Sequence, residues 1–368
     1  MELNIDKTGW KSYRFDEFAQ NISQRVEPKQ TDLKVYVGLE HLDPDSLHIK
    51  RNGTPADVEG TKLKFYTGDV IFGKRRAYQR KAALAETDGI CSAHAMVLRA
   101  NTKLIDERLF PFFFHSKVFQ DISVKISVGG LSPTINWKDL AKQEFLLPPK
   151  DQQARLAELL WAADEVVERE KEVKEGLENA LKLYMAKECG TCNNGNYLVD
   201  ISNLAKISSL LSNQKYNVGK LDTTEYKMIG EYPIVDQSMS FIVGYSNTKE
   251  IVFDGDLPVL VFGDHTTIIK YIDFPFILGA DGTKIIYPDK NKVLPKFLYY
   301  TIKNLNLIPQ GYRRHYSILK DLMIPVFEVE KQRSVLGRIE EFEKPIESIK
   351  LQINVSQAIK KGLINEIF

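Results

Sequence analysis

Two long, charged stretches of the chain carry a repeating stripe of apolar residues. From Asp151 to Glu188, and again from Glu330 to Phe368, mostly apolar side chains follow one another in steps of three and four, although Glu170 interrupts the first series and Ser356 lies in the second. This spacing keeps one face of a helix turned toward a partner helix. It predicts two helices of about 38 residues, each roughly 57 Å long. The stripe residues expected to join the helices are Leu156, Leu159, Val166, Val173 and Leu177 in the first, and Ile339, Phe342, Ile346, Ile349 and Ile353 in the second.

The two predicted helices should pack against each other. A single amphipathic helix of this length has nothing against which to bury its stripe, and the two helices recur at equivalent points of the chain. Two copies related by a pseudo-twofold axis would make them an antiparallel coiled coil. The alternative is that each helix docks separately on the domain beside it. Pro345 should bend the second helix, because proline removes one backbone hydrogen bond.

The segments that precede the two helices resemble each other at a separation of about 180 residues. The stretch from Gly129 to Leu140 and the stretch from Gln310 to Leu322 both run from a glycine turn to Lys-Asp-Leu, and a short apolar strand with proline follows each. Gly68–Gly73 likewise resembles Gly255–Gly263. Self-similarity of this kind predicts two copies of one module.

Each module is expected to mix strands and helices. Short apolar runs bounded by glycine and Asx residues, such as Val70–Phe72 and Val259–Phe262, predict strands. The aromatic segments after Pro111 and Pro295 predict helices opened by proline. The fold class is therefore α+β, with a pseudo-twofold internal repeat. The two predicted modules are 1–150 and 191–329, and the two predicted long helices are 151–190 and 330–368.

The composition limits the class of protein but does not change the predicted fold. The chain has 368 residues, 43% hydrophobic and 27% charged, which suits a globular protein of two or three domains. No run approaches the roughly 18–20 apolar residues that span a bilayer, and Met1–Asp6 lacks the pattern of a secretory signal. We therefore expect a cytoplasmic protein without a membrane partner. Cys189 and Cys192 form a lone C-x-x-C without further ligands nearby, which indicates a helix end rather than a metal site.

Charge is distributed unevenly, although the net charge is only +1. Between Gly60 and Lys103 there are nine Lys and Arg against three Asp and Glu, whereas between Asp151 and Glu188 there are six against ten. A nucleic-acid binder with a balanced total must concentrate its cations locally. The first region therefore suits DNA, and the polar faces of the predicted helices suit protein partners.

Two basic loops and two polar loops are the candidates for DNA contact. Lys74–Lys81 follows a predicted strand and supplies cations and a glutamine, side chains that contact phosphates and the major-groove edges of guanine and adenine. Gln310–His315 is the basic loop of the second module, and polar loops lie at Asp236–Ser238 and Gly263–Thr267. Each could instead be an ordinary solvated turn. The predicted DNA-binding residues are Lys74, Arg75, Arg76, Gln79, Arg80, Lys81, Gln237, Ser238, His265, Tyr312, Arg313 and Arg314.

No motif for catalysis stands out in the sequence. Pro148-Pro149 lacks the preceding Asn or Asp of an adenine methyltransferase motif, and there is no G-x-x-x-x-G-K-[ST] loop for ATP. The Glu-x-Lys triplets at Glu172 and Glu225 are of a kind that occurs by chance. We expect no catalytic residue, metal or cofactor in this chain.

Taken in order, these pieces resemble the specificity subunits of type I restriction-modification systems. The matching segments are Gly68–Arg76, Leu147–Gln153, Tyr232–Ser238 and the Lys-Lys-Gly-Leu tail at Lys360–Leu363. The resemblance implies two target-recognition domains, each reading one half of a split, asymmetric site in double-stranded DNA. It also implies that the helices set the distance between the halves and dock two modification subunits, which methylate adenine with S-adenosylmethionine. Restriction subunits that use ATP and Mg²⁺ would join them.

The residues leave two alternatives open. The chain could be a protein-interaction scaffold whose helices and modules both bind protein. It could also be the specificity subunit of a different restriction class that has a similar recognition fold.

Overall fold

The structure is a computed structural model that describes residues 6–189, 197–201, 205–208, 220–279, 282–309, 311 and 314–368. The chain divides into two compact units. Unit 1 comprises Met1–Glu172 together with Leu351–Phe368, and unit 2 comprises Val173–Lys350. The predicted α+β class is confirmed, and each unit mixes sheets with helices. Cys192 of the C-x-x-C pair lies outside the described residues, while Cys189 is a buried free thiol.

Unit 1 is built from short strands and four short helices before the first long helix begins. The strands are β1 (Lys11–Arg14), β2 (Ala19–Asn21), β3 (Arg25–Val26), β4 (Tyr36–Val37), β5 (Lys62–Phe65), β6 (Val70–Gly73), β7 (Ala82–Leu84), β8 (Gly89–Cys91), β9 (Ala95–Ala100) and β10 (Glu144–Leu147). The short helices are α1 (Phe15–Phe18), α2 (Phe110–Phe113), α3 (Lys117–Lys125) and α4 (Trp137–Leu140).

The central sheet of unit 1 has the strand order β2-β9-β6-β7, with antiparallel pairing throughout. Strand β6, one of the two central strands, carries the apolar residues Val70, Ile71 and Phe72 in succession, because both faces of the sheet are covered. Val70 and Phe72 belong to one core, which is rich in phenylalanine, whereas Ile71 belongs to a second core with Val37 and Phe65. Alternate residues of a strand point to opposite faces, so this run of three apolar residues serves two cores. A second sheet, β3-β5-β8-β4, lies beside it in the same unit.

Unit 2 repeats this plan. Its strands are β11 (Tyr197–Asp200), β12 (Ala205–Ser208), β13 (Lys220–Leu221), β14 (Tyr232–Val235), β15 (Gly244–Ser246), β16 (Val259–Gly263), β17 (Ile269–Ile272), β18 (Ile277–Gly279), β19 (Thr283–Pro288) and β20 (Met323–Val326). Its short helices are α6 (Pro295–Asn304) and α7 (Tyr316–Lys320). The two long helices are α5 (Lys150–Cys189) and α8 (Val329–Ile367).

The internal repeat is confirmed strand by strand. The central sheet of unit 2 has the order β12-β19-β16-β17 and is again antiparallel. Even the registers correspond, because Gly73 lies opposite Ala95 in unit 1 and Gly263 lies opposite Thr283 in unit 2. The units differ in the second sheet, which is β3-β5-β8-β4 in unit 1 and β13-β18-β14-β15 in unit 2. The frame is therefore duplicated, and the structure around it has diverged.

Both long helices form within one residue of the predicted bounds, and they pack antiparallel. In unit 1, Lys360 Nζ lies 2.9 Å from Asp164 Oδ1, and Ser356 donates a 3.0 Å hydrogen bond to Glu170. Moving forward along α5 therefore means moving backward along α8. Helix α8 continues unbroken through Pro345.

The predicted stripe agrees with the burial in α8 but is wrong in α5 between Leu159 and Val173. In α8, Ile339, Ile346 and Ile353 are buried, and Phe342 and Ile349 are half-buried. In α5, Leu156 and Leu177 are half-buried, but three predicted contact residues are exposed. They are Leu159 at 39%, Val166 at 49% and Val173 at 54% exposure.

The true contact line in this part of α5 lies one residue further along. Leu160 and Val167 are fully buried, and the residue between them in the line is Asp164, which is 1% exposed. A search for apolar residues at helical spacing passes over a line that contains an aspartate. The sequence pattern therefore predicted the neighbouring line of Leu159 and Val166. The buried carboxylate is acceptable because Lys360 and His48 both bind it.

A buried glutamine fixes the start of each long helix. Gln153 donates to the carbonyls of Leu104 and Pro148 at 2.9 Å and accepts from the backbone of Asp106. Gln332 makes the equivalent set of bonds, donating to Lys292 and Phe327 and accepting from Leu294. Each glutamine satisfies three backbone groups that would otherwise be buried without a partner. Among the described residues, no helix is long and apolar enough to cross a membrane.

Candidate nucleic-acid interface

The first half of the basic loop in unit 1 is held against a second loop. The Arg76 backbone N–H donates to the Pro133 carbonyl at 2.7 Å, and the Ile135 N–H donates to the Lys74 carbonyl at 3.0 Å. Arg75 forms a bridge with Thr134. The turn around Gly129 therefore supports the Lys74–Arg76 backbone directly.

The cations of this half-loop differ in exposure. Arg76 is exposed, has a left-handed backbone with φ 56°, and its Nε lies 3.3 Å from Ser132 Oγ. The Arg75 guanidinium lies 3.4 Å from His94 Nε2, and burial together with Arg75 and Lys74 lowers the pKa of His94. A neutral imidazole beside these cations can accept a hydrogen bond without adding further positive charge.

The second half of the loop is bound to its own unit. Arg80 makes a 2.5 Å ion pair with Asp45 and donates to the His115 carbonyl at 3.1 Å. Lys81 Nζ donates to the Leu39 carbonyl at 2.6 Å. These cations shape the loop, and their predicted contact with DNA would require them to give up bonds already formed.

A polar cavity of about 370 Å³ opens beside Lys74. Burial lowers the pKa of the Lys74 ammonium, which reflects the loss of water around a charge. An anion or a carbonyl group bound in the cavity would replace the water that the buried Lys74 ammonium has lost. The lining includes two further cations and three polar side chains that the sequence did not single out: Arg25, Lys62, Asn21, Ser23 and Asn136.

In unit 2 the structure brings the two predicted polar loops together. The Gln237 side-chain oxygen accepts from the His265 backbone at 3.3 Å, and the Thr266 hydroxyl donates to the Gln237 carbonyl at 2.6 Å. The Ser238 backbone donates to Asp236 Oδ1 at 2.8 Å. The Asp236–Ser238 and Gly263–Thr267 loops thus form one surface.

The predicted basic loop of unit 2 ends on the same surface. The His315 backbone donates to the Asp264 carbonyl at 2.9 Å, and the Tyr316 backbone donates to the Asp264 carboxylate at 2.8 Å. Arg314 is exposed at this point. Gln310, Tyr312 and Arg313 lie outside the described residues.

The described candidates that are not bound within their own unit, as Arg80 and Lys81 are, fall into two groups. Lys74, Arg75, Arg76 and Gln79 lie on or beside the supported half-loop, and Gln237, Ser238, His265 and Arg314 lie on the converging loops of unit 2; their contact with DNA stays a prediction. Sequence reasoning missed Arg25 and Lys62. They occupy neighbouring strands, where Val26 pairs with Lys62, and only that pairing brings them together.

Comparison with known proteins identifies the class. Residues 8–179 match the family model described as "Type I restriction modification DNA specificity domain". Over the whole chain, the fold is similar to the crystal structure of a type I restriction-modification S subunit from M. genitalium, with a TM-score of 0.62 and 14% identity, covering 100% of this chain and 98% of that one. A second solved structure, from a study of the assembly of a type I restriction-modification system, gives a TM-score of 0.57 at 17% identity and covers 98% of this chain and 96% of that one.

Two curated relatives match parts of the chain. The EcoDI specificity subunit of Escherichia coli is 28% identical over 176 residues, which are 46% of this chain and 38% of that protein. The EcoR124I/EcoR124II specificity subunit of E. coli is 33% identical over 75 residues, 20% of this chain and 19% of that protein. The matched segments thus span well under half the length of these relatives. Residues 8–179 thus match the type I restriction-modification DNA specificity family, and the fold of the whole chain is similar to that of a type I specificity subunit.

Proposed function

We propose that this chain is the non-catalytic DNA-reading subunit of a type I restriction-modification complex. Each unit would read one half of a split DNA site, and unlike loops would make the site asymmetric. The observation that carries the proposal is the exposed Arg76 on a loop held by a second loop, within the segment that matches the DNA specificity family. Fixed cations beside a polar cavity suit phosphate binding and base reading together.

The long helices would bind the partner subunits. Five apolar side chains on the helical part of unit 1 are exposed, and a docked partner subunit would cover them. They are Leu159, Val166, Leu351, Val355 and Ile359. Two modification subunits carrying S-adenosylmethionine would dock there, and restriction subunits supplying ATP and Mg²⁺ chemistry would join in the cytoplasm. A protein-interaction scaffold is the competing proposal.

The test is the salt dependence of binding to random duplex DNA. Neutralising phosphates releases counterions, so the logarithm of the affinity should fall linearly with the logarithm of the salt concentration. A DNA reader should lose about 10³-fold or more in affinity between about 50 and 200 mM salt if it contacts six or more phosphates. A scaffold for proteins would show no binding, or weak binding with a shallow slope.

A further inference from the structure

A leucine stands almost fully exposed at the tip of the supporting turn in unit 1. Leu131 is 97% exposed, and Gly130 beside it has open space where a side chain would lie. Single exposed apolar residues are common on protein surfaces, so exposure alone says little. The significance of Leu131 depends on the rigidity of its turn and on the residues around it.

The turn that carries Leu131 is held in a fixed shape. Val128 and Thr134 exchange two backbone hydrogen bonds of 3.1 and 2.9 Å below it. Gly129 has φ 115°, a backbone conformation that a residue with a side chain rarely adopts. The Thr134 hydroxyl also donates to the Ser132 carbonyl at 3.2 Å. The leucine is therefore presented outward by a closed hairpin.

Cations flank this hairpin on the side of the basic loop. Arg76 bonds to Pro133 through its backbone and to Ser132 through its side chain, and Arg75 pairs with Thr134. A duplex held by these arginines through its phosphates would lie next to Leu131.

We infer that Leu131 is a base-reading residue that contacts the methyl group of a thymine in the major groove. The methyl group is the apolar feature of that groove, and aliphatic side chains recognise it by contact. The arginines would fix the duplex through its phosphates, while Leu131 would discriminate among bases at one position. This inference rests on the proposed function and adds to it the residue and the chemical group that are read.

The test selects binding sites for the full chain from a pool of duplex DNA with a randomised segment. Wild type should recover a bipartite motif with a thymine at one position of one half. Leu131→Ser should lose that preference while keeping the other positions and about the same affinity for random duplex. Leu131→Met should retain the preference. Val118→Ser, at another exposed aliphatic residue of unit 1, is the matched control and should change nothing.

Uracil, which lacks the thymine methyl, then isolates the contact. Uracil at the preferred position should weaken wild-type binding about fourfold, the effect of one buried methyl group, and should not weaken Leu131→Ser further. An unchanged motif for Leu131→Ser, or equal sensitivity of both proteins to uracil, would overturn the inference and leave the proposed function standing. If wild type recovers no motif, the proposed function fails and the inference with it.

Discussion

The long helices pack through different chemistry in the two units. In unit 1 the contact line contains Asp164, buried between Lys360 and His48. In unit 2 the contact is apolar and aromatic: Tyr184 and Phe342 have ring centroids 6.0 Å apart, and Ile339, Val335 and Met185 are buried together. A buried charge tolerates no shift of register, whereas apolar residues tolerate some. We therefore expect the Asp164 contacts of unit 1 to fix the alignment of the helices and the apolar contacts of unit 2 to stabilise their packing.

Removing the buried carboxylate of Asp164 should have the largest effect on the difference between the helix contacts of the two units. Asp164→Ala should destabilise unit 1 by about 3–5 kcal/mol, because Lys360 would be left buried without a counter-ion. All three tryptophans, Trp10, Trp137 and Trp161, lie in unit 1, so tryptophan fluorescence during urea unfolding reports on that unit.

Exchanging the pair for apolar residues should recover most of this loss. Asp164→Leu combined with Lys360→Met removes both charges at once, and such replacements are often neutral or stabilising. The contrast between the units would be mistaken if Asp164→Ala left the fluorescence transition in place.

The buried glutamines at the starts of the two long helices are a feature that both units share, and substituting them tests whether the units unfold separately. Gln153→Ala should cost unit 1 about 2–3 kcal/mol, because the backbone groups of Leu104, Asp106 and Pro148 lose their partner. Gln332→Ala is the matched control, since it should destabilise unit 2 by a similar amount and leave the tryptophan transition nearly unmoved. Equal movement of that transition by both variants would show that the units unfold as one.

These elements mark how far the sequence alone could go. The stripe of α8 and the repeated strands were predicted because burial there is apolar and periodic. Asp164 and Gln153 were missed because a buried polar residue looks like a surface residue until its partners are known. The link between Arg76 and Pro133 joins segments more than fifty residues apart, and no local pattern encodes it.

Acidity should change the stability of unit 1 through His48. The hydrogen bond to Asp164 raises the pKa of His48 above its ordinary 6.5. Burial would raise the pKa of Asp164, but the bonds from His48 and Lys360 outweigh it and lower that pKa. Stabilisation by His48 is therefore fully present below pH 6.5 and is lost as the pH rises through the folded-state pKa.

The variant that tests this is His48→Gln, which keeps a donor but cannot titrate. The difference in unfolding free energy between wild type and His48→Gln should shrink as the pH rises from about 6 to about 8, because His48 loses the charge that strengthens its hydrogen bond to Asp164. Burial lowers the pKa of His115 to about 4, an effect of opposite sign that both proteins share and that cancels in the difference. A difference that grows with pH would contradict the assignment.

The smallest predicted effect is on DNA affinity, and it distinguishes the exposed cation of the basic loop from the cation that is already paired within the unit. Arg76→Gln should weaken binding to random duplex DNA a few-fold and reduce the salt slope by about one. Arg80→Gln should leave the slope nearly unchanged, because Arg80 is already paired with Asp45. Should the two variants lower the slope equally, internal pairing would not decide which cations reach phosphate.

The central claim is that the two units read two different half-sites independently. The most direct measurement replaces residues 1–150 with those of a relative of different specificity and maps methylated adenines in cells that also supply the modification subunits. One half of the methylated motif should change while the other half stays as in wild type. A motif in which both halves change, or neither does, would contradict the account.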